Sequence, residues 1–284
     1  MKVDVLILLH IAYDLVIASL VLGLCTIMEH VAVLERVTLR QRLPGILFQA
    51  VQIVLGAVVV WPLQQVWTRL GLAPLIVPLH SWLAPLPGGT ILYFLVLFAI
   101  SDFLIYWRHR AEHLWFWPIH AVHHAPRELH AANDFGHPLQ AIPNFLFVSL
   151  PLSLVQMNGP GTPFVVGLMS SLLMMYLHSP IDFHFGPLRR LIADNRFHRI
   201  HHSLEIRHYD RNFSVGLSLW DALFGTAYWP ARDEWPSVGV PDLPAPRTLR
   251  TFLLLPFRSA RSALPSTHSE LCSSPTLPAT RSGE

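Results

Sequence analysis

The chain has 284 residues, of which 52% are hydrophobic and 13% are charged, and its formal net charge is +2. Soluble globular domains carry about 25% charged residues, so this composition leaves too little charge to cover a water-facing surface and predicts an integral membrane protein. The small net charge, without a stripe of basic and aromatic residues, argues against nucleic acid as a partner.

Three long apolar runs predict membrane-spanning helices over residues 3–28, 46–67 and 90–108. Each has about the 20 residues that a helix needs to cross a bilayer. Two shorter apolar runs, 142–157 and 163–177, flank the turn-forming sequence NGPGTP and predict a helical hairpin that either spans or re-enters the membrane. The predicted fold class is therefore all-α, an integral membrane helical bundle.

Two further segments differ in composition from the apolar runs. Residues 69–89 are rich in proline and glycine and predict a loop, and the Pro-, Ser-, Arg- and Thr-rich sequence after Pro230 predicts a disordered tail. The predicted division is an N-terminal membrane segment at 1–89, a central domain at 90–230 and a tail at 231–284. The two cysteines, Cys25 and Cys272, are too few and too far apart for a disulfide framework or a cysteine-type zinc site.

Histidine is unusually abundant, with 17 residues, most of them between positions 109 and 208. Imidazoles three and four residues apart share a helix face, and neutral imidazole suits Fe, Zn, Cu and Ni. Eight histidines exceed the four ligands of a structural zinc. They suit two metals that share a site and keep open coordination positions for O2 or water. The three clusters are His109 and His113; His120, His123 and His124; and His198, His201 and His202.

The positive-inside rule predicts where these histidines lie. The first loop carries Arg36, Arg40 and Arg42, which assigns it to the cytoplasm. The third helix and the hairpin then both end on the cytoplasmic side, so all three clusters, and His178 at the end of the hairpin, fall on that side. The convergence predicts one shared site.

The clusters and their flanking residues resemble those of the fatty acid hydroxylase superfamily, also called the sterol desaturase family. Its members carry an H-x3/4-H, H-x2-H-H, H-x2-H-H series. Residues 102–110 (DFLIYWRHR), 135–139 (FGHPL), 185–190 (FGPLRR) and 219–226 (LWDALFGT) resemble other parts of the family pattern. The resemblance runs from about residue 102 to residue 228. The chain departs from the family pattern at three positions. Some relatives have His where this chain has Asp182, and relatives often have Asn in place of Pro180 and an acidic residue in place of Gln140.

The resemblance implies a cytosolic, histidine-rich helical cap that holds two iron ions and acts with O2. It implies a hydrophobic lipid substrate, such as a fatty acyl chain or a sterol. It also implies an electron-donor protein of the ferredoxin or cytochrome b5 kind, with a reductase. The implied ligands are His109, His113, His120, His123, His124, His178, His198, His201 and His202.

Several residues that are not themselves predicted ligands are candidates to form hydrogen bonds with the ligand imidazoles. An ionisable residue near the membrane interior is costly, which marks Asp102 as a candidate acceptor for the histidine boxes. The other acidic candidates are Glu112, Glu128 and Asp134. Further candidate outer residues are His137, Asp182, His184 and His208.

The sequence argues against two other functions. A zinc hydrolase is disfavoured because the H-E-x-x-H motif is absent: Glu112 precedes the second histidine of its cluster rather than following the first. A metal transporter or store would place ligands near the bilayer midplane, whereas these histidines follow helix ends. The sequence leaves open which lipid and carbon are oxidised, hydroxylation against desaturation, the donor and the oligomeric state.

Overall fold

A computed structural model describes residues 2–71, 77–155 and 161–259. Within these ranges the chain forms α-helices, short 3-10 segments and isolated β-bridges, without a strand ladder, which confirms the predicted all-α class. The helices are α1 (Lys2–Val31), α2 (Leu39–Leu70), α3 (Leu79–Leu83), α4 (Gly89–Trp115), α5 (Trp117–His124), α6 (Ala141–Asn144), α7 (Leu150–Leu152), α8 (Gly161–His178), α9 (Asn195–His201), α10 (Leu219–Leu223) and α11 (Leu249–Ser259).

The helices α1, α2 and α4 are long and apolar enough to cross a membrane, as predicted. Large apolar side chains such as Leu8, Leu20 and Leu95 are exposed on their outer faces, with 63%, 66% and 60% of their surface accessible. An apolar face of this kind is stable only against lipid or another protein surface. Helix α4 continues about two turns beyond its predicted end, and this extension carries His109 and His113.

The first arm of the predicted hairpin is irregular. A 3-10 turn at Pro138–Gln140 leads into α6, a π-helical turn at Phe145–Ser149 and then α7. Proline lacks the amide N–H and so prevents a regular α-helical ladder here, with Pro143 inside α6 and Pro151 in the first turn of α7. The second arm is α8. The connecting residues 156–160 lie outside the described residues, as do residues 72–76 of the predicted loop, which otherwise contains α3.

The described part of the predicted tail, residues 231–259, is packed against the bundle rather than disordered. Phe252 of α11 is fully buried and stacks on Phe48 of α2, with ring centroids 4.5 Å apart. Phe252 and Leu255, one turn apart, pack with Ala121, Val122 and Ala125 of α5. The composition of the segment concealed this short amphipathic helix, and residues 260–284 lie outside the described residues. The boundary at residue 231 stays a prediction.

The loop between α1 and α2 fixes the histidine-bearing cap to one end of the bundle. The Leu34 N–H donates to the Pro180 carbonyl at 2.9 Å, just after α8 ends at His178. The Ala131 N–H donates to the Glu29 carboxylate at 2.8 Å, and Glu29 forms a buried ion pair with Arg42. The arginine-rich loop and the cap therefore lie at the same end of the membrane helices.

Candidate metal centre

All nine predicted ligands come together in the cap, in two adjacent groups. Within each group, one nitrogen from every ring lies within 4.8 Å of the others. The first group is His109, His113, His120, His124 and His201, and the second is His123, His178, His198 and His202. Eight of the nine side chains are buried, and His113 is partly exposed. That they bind metal remains a prediction.

Each H-x2-H-H motif is divided between the two groups. In α5, His120 and His124 belong to the first group, while His123 belongs to the second. In the second motif, which begins in α9 and ends at the residue after it, the assignment is reversed. His198 and His202 belong to the second group, and His201 belongs to the first. Residues four apart lie on one face of a helix, so each motif presents a pair to one group and its remaining imidazole to the other.

Helix α9 is held in place by its N-cap residue, Asp194, and its first residue, Asn195. Asp194 caps the helix by accepting from the Phe197 N–H at 3.0 Å and also binds Arg189. The Asn195 amide donates to the carbonyls of Ser179 and Ile181, directly after α8. The capped helix is thereby tied to the end of α8, which sets His198 beside His178 with ring centroids 4.7 Å apart.

Backbone carbonyls fix the orientation of four of the rings. His109 Nδ1 lies 2.8 Å from the Phe213 carbonyl, and His201 Nδ1 lies 2.8 Å from the Arg211 carbonyl. His123 Nδ1 lies 3.0 Å from the Phe135 carbonyl, and His178 Nδ1 lies 2.7 Å from the Met174 carbonyl. A carbonyl only accepts, so each Nδ1 carries the proton and each Nε2 offers a bare lone pair.

The Nε2 atoms meet at distances that suit ligands of one cation. The separations are 3.1 Å for His109 to His120, 3.1 Å for His120 to His124, and 3.1 Å for His124 to His201. Lone pairs facing each other so closely repel unless a proton or metal lies between them. Metal–nitrogen bonds of about 2.0–2.1 Å place neighbouring ligand atoms about 2.9–3.4 Å apart. In the second group, the buried Nε2 of His178 has no hydrogen-bond partner. The donor set therefore fits metal ions.

The electrostatics keep the cap imidazoles neutral. Burial, followed by the neighbouring imidazoles, lowers the pKa of the rings well below the usual value at five positions: His120, His124, His198, His201 and His202. Burial lowers the pKa of His123 to about 3. Only a deprotonated nitrogen binds a metal, so these rings are in the ligand-competent state at neutral pH.

Glu112 is a buried acidic residue beside a predicted ligand, whereas the exposed Asp210 lies 3.2 Å from His113 Nδ1. Glu112 is fully buried, and its carboxylate lies 3.3 Å from His120 Nδ1. The Gln140 amide nitrogen also lies 3.0 Å from His120 Nδ1. If the amide donated there, the proton of His120 would sit on Nε2 and block the first group. A ligand role for His120 therefore requires an acceptor at Nδ1, and the Glu112 carboxylate, 3.3 Å away, is placed to become one.

Asp102 has different partners from those predicted. Its carboxylate accepts from the Gly216 and Leu217 N–H groups at 2.7 and 2.6 Å, and from Trp220 Nε1 at 3.0 Å. It thus holds the segment that follows Phe213, whose carbonyl faces His109. Its influence on the histidines passes through that segment.

The other predicted outer residues contact different parts of the cap. His137 accepts from the Leu139 N–H and donates to the Leu253 carbonyl, which ties α11 to the chain after α5. His208 bonds Ser203, and Asp182 pairs at the surface with Arg196. His184 is exposed and accepts from the Gly186 N–H. Of the further acidic candidates, Asp134 lies 3.8 Å from His178 Nδ1, while Glu128 accepts from Gln41.

Sequence reasoning missed the backbone contributions to the site. The carbonyls of Phe135, Arg211 and Phe213 carry no side-chain signature. A weak signal lies in the Asx residues around Arg211, because Asp210 and Asn212 adopt φ values of 55° and 58°. Asn and Asp tolerate this left-handed conformation, which turns the chain so that successive carbonyls face the imidazoles.

Comparison with known proteins finds a family similar to the segment that contains the nine histidines. Residues 94–226 match the family model for fatty acid hydroxylase. This segment, slightly less than half of the chain, is similar to the fatty acid hydroxylase family. The matched segment begins within α4 and ends just after α10, so it includes both histidine groups and the segment held by Asp102.

Curated relatives of this segment are lipid hydroxylases and monooxygenases by name. An ornithine lipid hydroxylase of Rhizobium tropici is 30% identical over 50% of this chain and 43% of its own. An alkylglycerol monooxygenase of Homo sapiens is 30% identical over 44% and 28%, respectively. A putative methylsterol monooxygenase of Dictyostelium discoideum is 31% identical over 51% and 54%. The chain thus spans about half or less of these relatives. No solved structure matches it.

Proposed function

We propose that this chain is a membrane-bound, O2-dependent oxidase that uses two iron ions to hydroxylate or desaturate a lipid. The observation that carries the proposal is the division of nine imidazoles into two adjacent groups with bare nitrogens facing inward. The names of the related hydroxylases and monooxygenases support a lipid substrate. Five nitrogen donors in the first group exceed the four of a tetrahedral zinc site, and zinc has no redox chemistry.

The overall reaction needs electrons and protons in addition to O2. Hydroxylation converts R–H, O2, two electrons and two protons into R–OH and water, and desaturation yields an alkene and two waters from the same reactants. Iron held by the two groups would supply the O2 activation that no side chain performs. The chain's own residues orient the imidazoles through the carbonyls of Phe135, Arg211 and Phe213 and exclude bulk water by burial.

The proposed location of the cap is the cytoplasmic side, where a ferredoxin- or cytochrome b5-like donor would dock. The support is that three arginines lie at this end of the helices: Arg36 in the α1–α2 loop, which contacts the cap at Pro180, and Arg40 and Arg42 in the first turn of α2. A test uses His184→Cys in a Cys272→Ser background, because His184 is exposed. A membrane-impermeant maleimide should label it only after the cells are opened. Labelling in intact cells contradicts this orientation.

The experiment on the metal centre measures iron per chain and oxidised lipid together. Purified protein expressed with iron should carry two ions per chain, and His123→Ala and His201→Ala should each lose iron and activity. His184→Ala is the matched control because its side chain lies at the surface. Less than one metal per chain in the unaltered protein would refute the di-metal proposal. Comparative lipidomics of cells with and without the gene identifies the product.

A transport function is the alternative to this proposal. It is not favoured, because the histidines of α4 and α8 lie in the last turns of these helices, within the cap, and eight of the nine are buried. Transport sites are expected near the bilayer midplane on broken helices. Iron-loaded protein that moves metal across vesicles without oxidising lipid would favour the alternative.

A further inference from the structure

An apolar cleft separate from the histidines runs between α4 and α8. Its walls are six apolar side chains, half-buried or exposed: Phe94, Phe98 and Ile105 from α4, and Val166, Met169 and Leu173 from α8. On α4 these positions lie on one stripe of a helix that is long and apolar enough to cross a membrane. The cleft is therefore open where lipid would surround the helices.

The cleft points along both helices toward the histidines. Ile105 is four residues before His109 on α4, and Leu173 is five residues before His178 on α8. At 1.5 Å per residue, these two positions lie about 6–8 Å along the helix axes from His109 of the first group and His178 of the second. Val215 closes the same end and follows two residues after Phe213, whose carbonyl accepts from His109.

The floor of the cleft is the apolar layer that covers the second histidine group. Ile105, Leu173 and Val215 pack with Leu177 and Phe197. Leu177 and Phe197 immediately precede two imidazoles of that group, His178 and His198. The layer beneath the cleft is thus built from residues next in sequence to two imidazoles of the second group.

Two of the three polar side chains that line the cleft, Ser101 and Asp102, are already engaged within the protein. The Asp102 carboxylate accepts from two backbone N–H groups and from Trp220, and the Ser101 hydroxyl donates to the Leu97 carbonyl. Gly216 lets the loop approach closely, because a Cβ there would lie 2.5 Å from the Phe98 ring. These contacts leave an apolar surface for the occupant, which favours a hydrocarbon chain over a polar headgroup.

We infer that this cleft binds one alkyl chain of the lipid substrate and directs it toward the histidine groups. The inference rests on the proposed lipid oxidase function, but the binding itself can be measured without iron and without turnover. It also assigns selectivity: the side chains at the floor, Ile105, Leu173 and Val215, set how far a chain can enter.

The test uses phosphatidylcholine that carries a palmitoyl chain with a terminal diazirine, at low mole fraction in nanodiscs with the full chain. After irradiation, crosslinked peptides are mapped by mass spectrometry. Crosslinks at the cleft walls are expected to exceed those on the exposed face of α1, at Leu8 and Leu20, by about tenfold, which corresponds to a preference of about 1.4 kcal/mol for the cleft over bulk lipid. Equal labelling of both surfaces overturns the inference.

Two variants fill the cleft and one serves as a control. Ser170→Trp places a large ring among the lining residues, and Val166→Phe is a smaller change should Ser170→Trp unfold the protein. Leu95→Trp adds the same ring on an exposed face of α4. Both filling variants should lose the excess labelling, and the control should retain it. Labelling that is unchanged in a folded filling variant refutes the inference.

Activity separates this inference from the proposed function. If the cleft is labelled specifically but the protein oxidises no lipid, the inferred binding site stands and the proposed oxidase function is refuted. If a filled-cleft variant with normal iron content oxidises lipid as fast as the unaltered protein, the inferred binding site is refuted and the proposed oxidase function stands.

Discussion

The rings of His124 and His202 stack with centroids 4.3 Å apart and planes 24° from parallel, although the two residues belong to different histidine groups. His124 comes from α5 and His202 directly follows α9. The contact packs the two proposed metal sites against each other without intervening solvent. Removing a ring at this contact should therefore disturb both groups.

The first prediction compares two ligands of the second group. His178→Ala should lower the iron content mainly in its own group and leave about one ion per chain, because its ring contacts are with His123, His198 and His202 of that group. His202→Ala should lower it further, because the cavity also loosens His124, and buried voids of this kind are costly. Iron per chain measured by elemental analysis decides between them. Equal iron content in the two variants contradicts the predicted coupling.

The second prediction concerns the Glu112 carboxylate beside His120. Glu112→Gln keeps the shape but weakens the acceptor at Nδ1, and loss of such an outer partner lowers metal affinity or activity by about 10–100-fold. Competition for iron against a chelator measures the affinity. Glu128→Gln is the matched control because Glu128 bonds Gln41. If Glu112→Gln retains iron as the unaltered protein does, Glu112 does not position His120.

The sequence predicted the membrane helices and the nine histidines because both leave local patterns: long apolar runs and repeated i, i+3, i+4 spacing. It did not predict how each H-x2-H-H motif divides, since His123 and His201 could face either group until α5 and α9 are packed. The partners of Asp102 were also out of reach. They lie more than a hundred residues away, at Gly216 and Trp220.

The third prediction follows from Asp102. Asp102→Asn replaces an oxygen that accepts by an NH2 group that donates, so at least one buried N–H of Gly216 or Leu217 loses its acceptor. The expected loss is about 2 kcal/mol of unfolding free energy. Unfolding of the detergent-solubilised protein measures it. Asp182→Asn, at the exposed surface, should change stability by less than about 0.5 kcal/mol. Equal stability of the two variants refutes this role.

The fourth prediction tests α11, which the composition of the tail concealed. Phe252 stacks on Phe48, and Phe135, whose carbonyl orients His123, packs edge-on against both rings. Phe252→Ala should cost about 3–5 kcal/mol of unfolding free energy and reduce iron retention. Phe257→Ala is the control, because Phe257 is exposed. A Phe252→Ala protein as stable as the control means that α11 does not support the cap.

The last prediction concerns pH and His130, which is buried and lies outside both histidine groups. Burial, followed by the charges of Arg42 and His178, lowers the pKa of His130 to about 3. In the unfolded chain its pKa is about 6.5, so between these values the unfolded state binds more protons than the folded state. Stability should therefore fall as the pH decreases below about 6.5.

For this one residue, the expected loss between about pH 7.5 and about pH 5.5 is about 1.4 kcal/mol. His130→Gln should remove that part of the pH dependence, while His184→Gln, at the exposed surface, should leave it unchanged. Denaturant unfolding at the two pH values measures the difference. An unchanged pH dependence in His130→Gln shows that His130 is protonated as readily in the folded protein as in the unfolded chain, which its burial opposes.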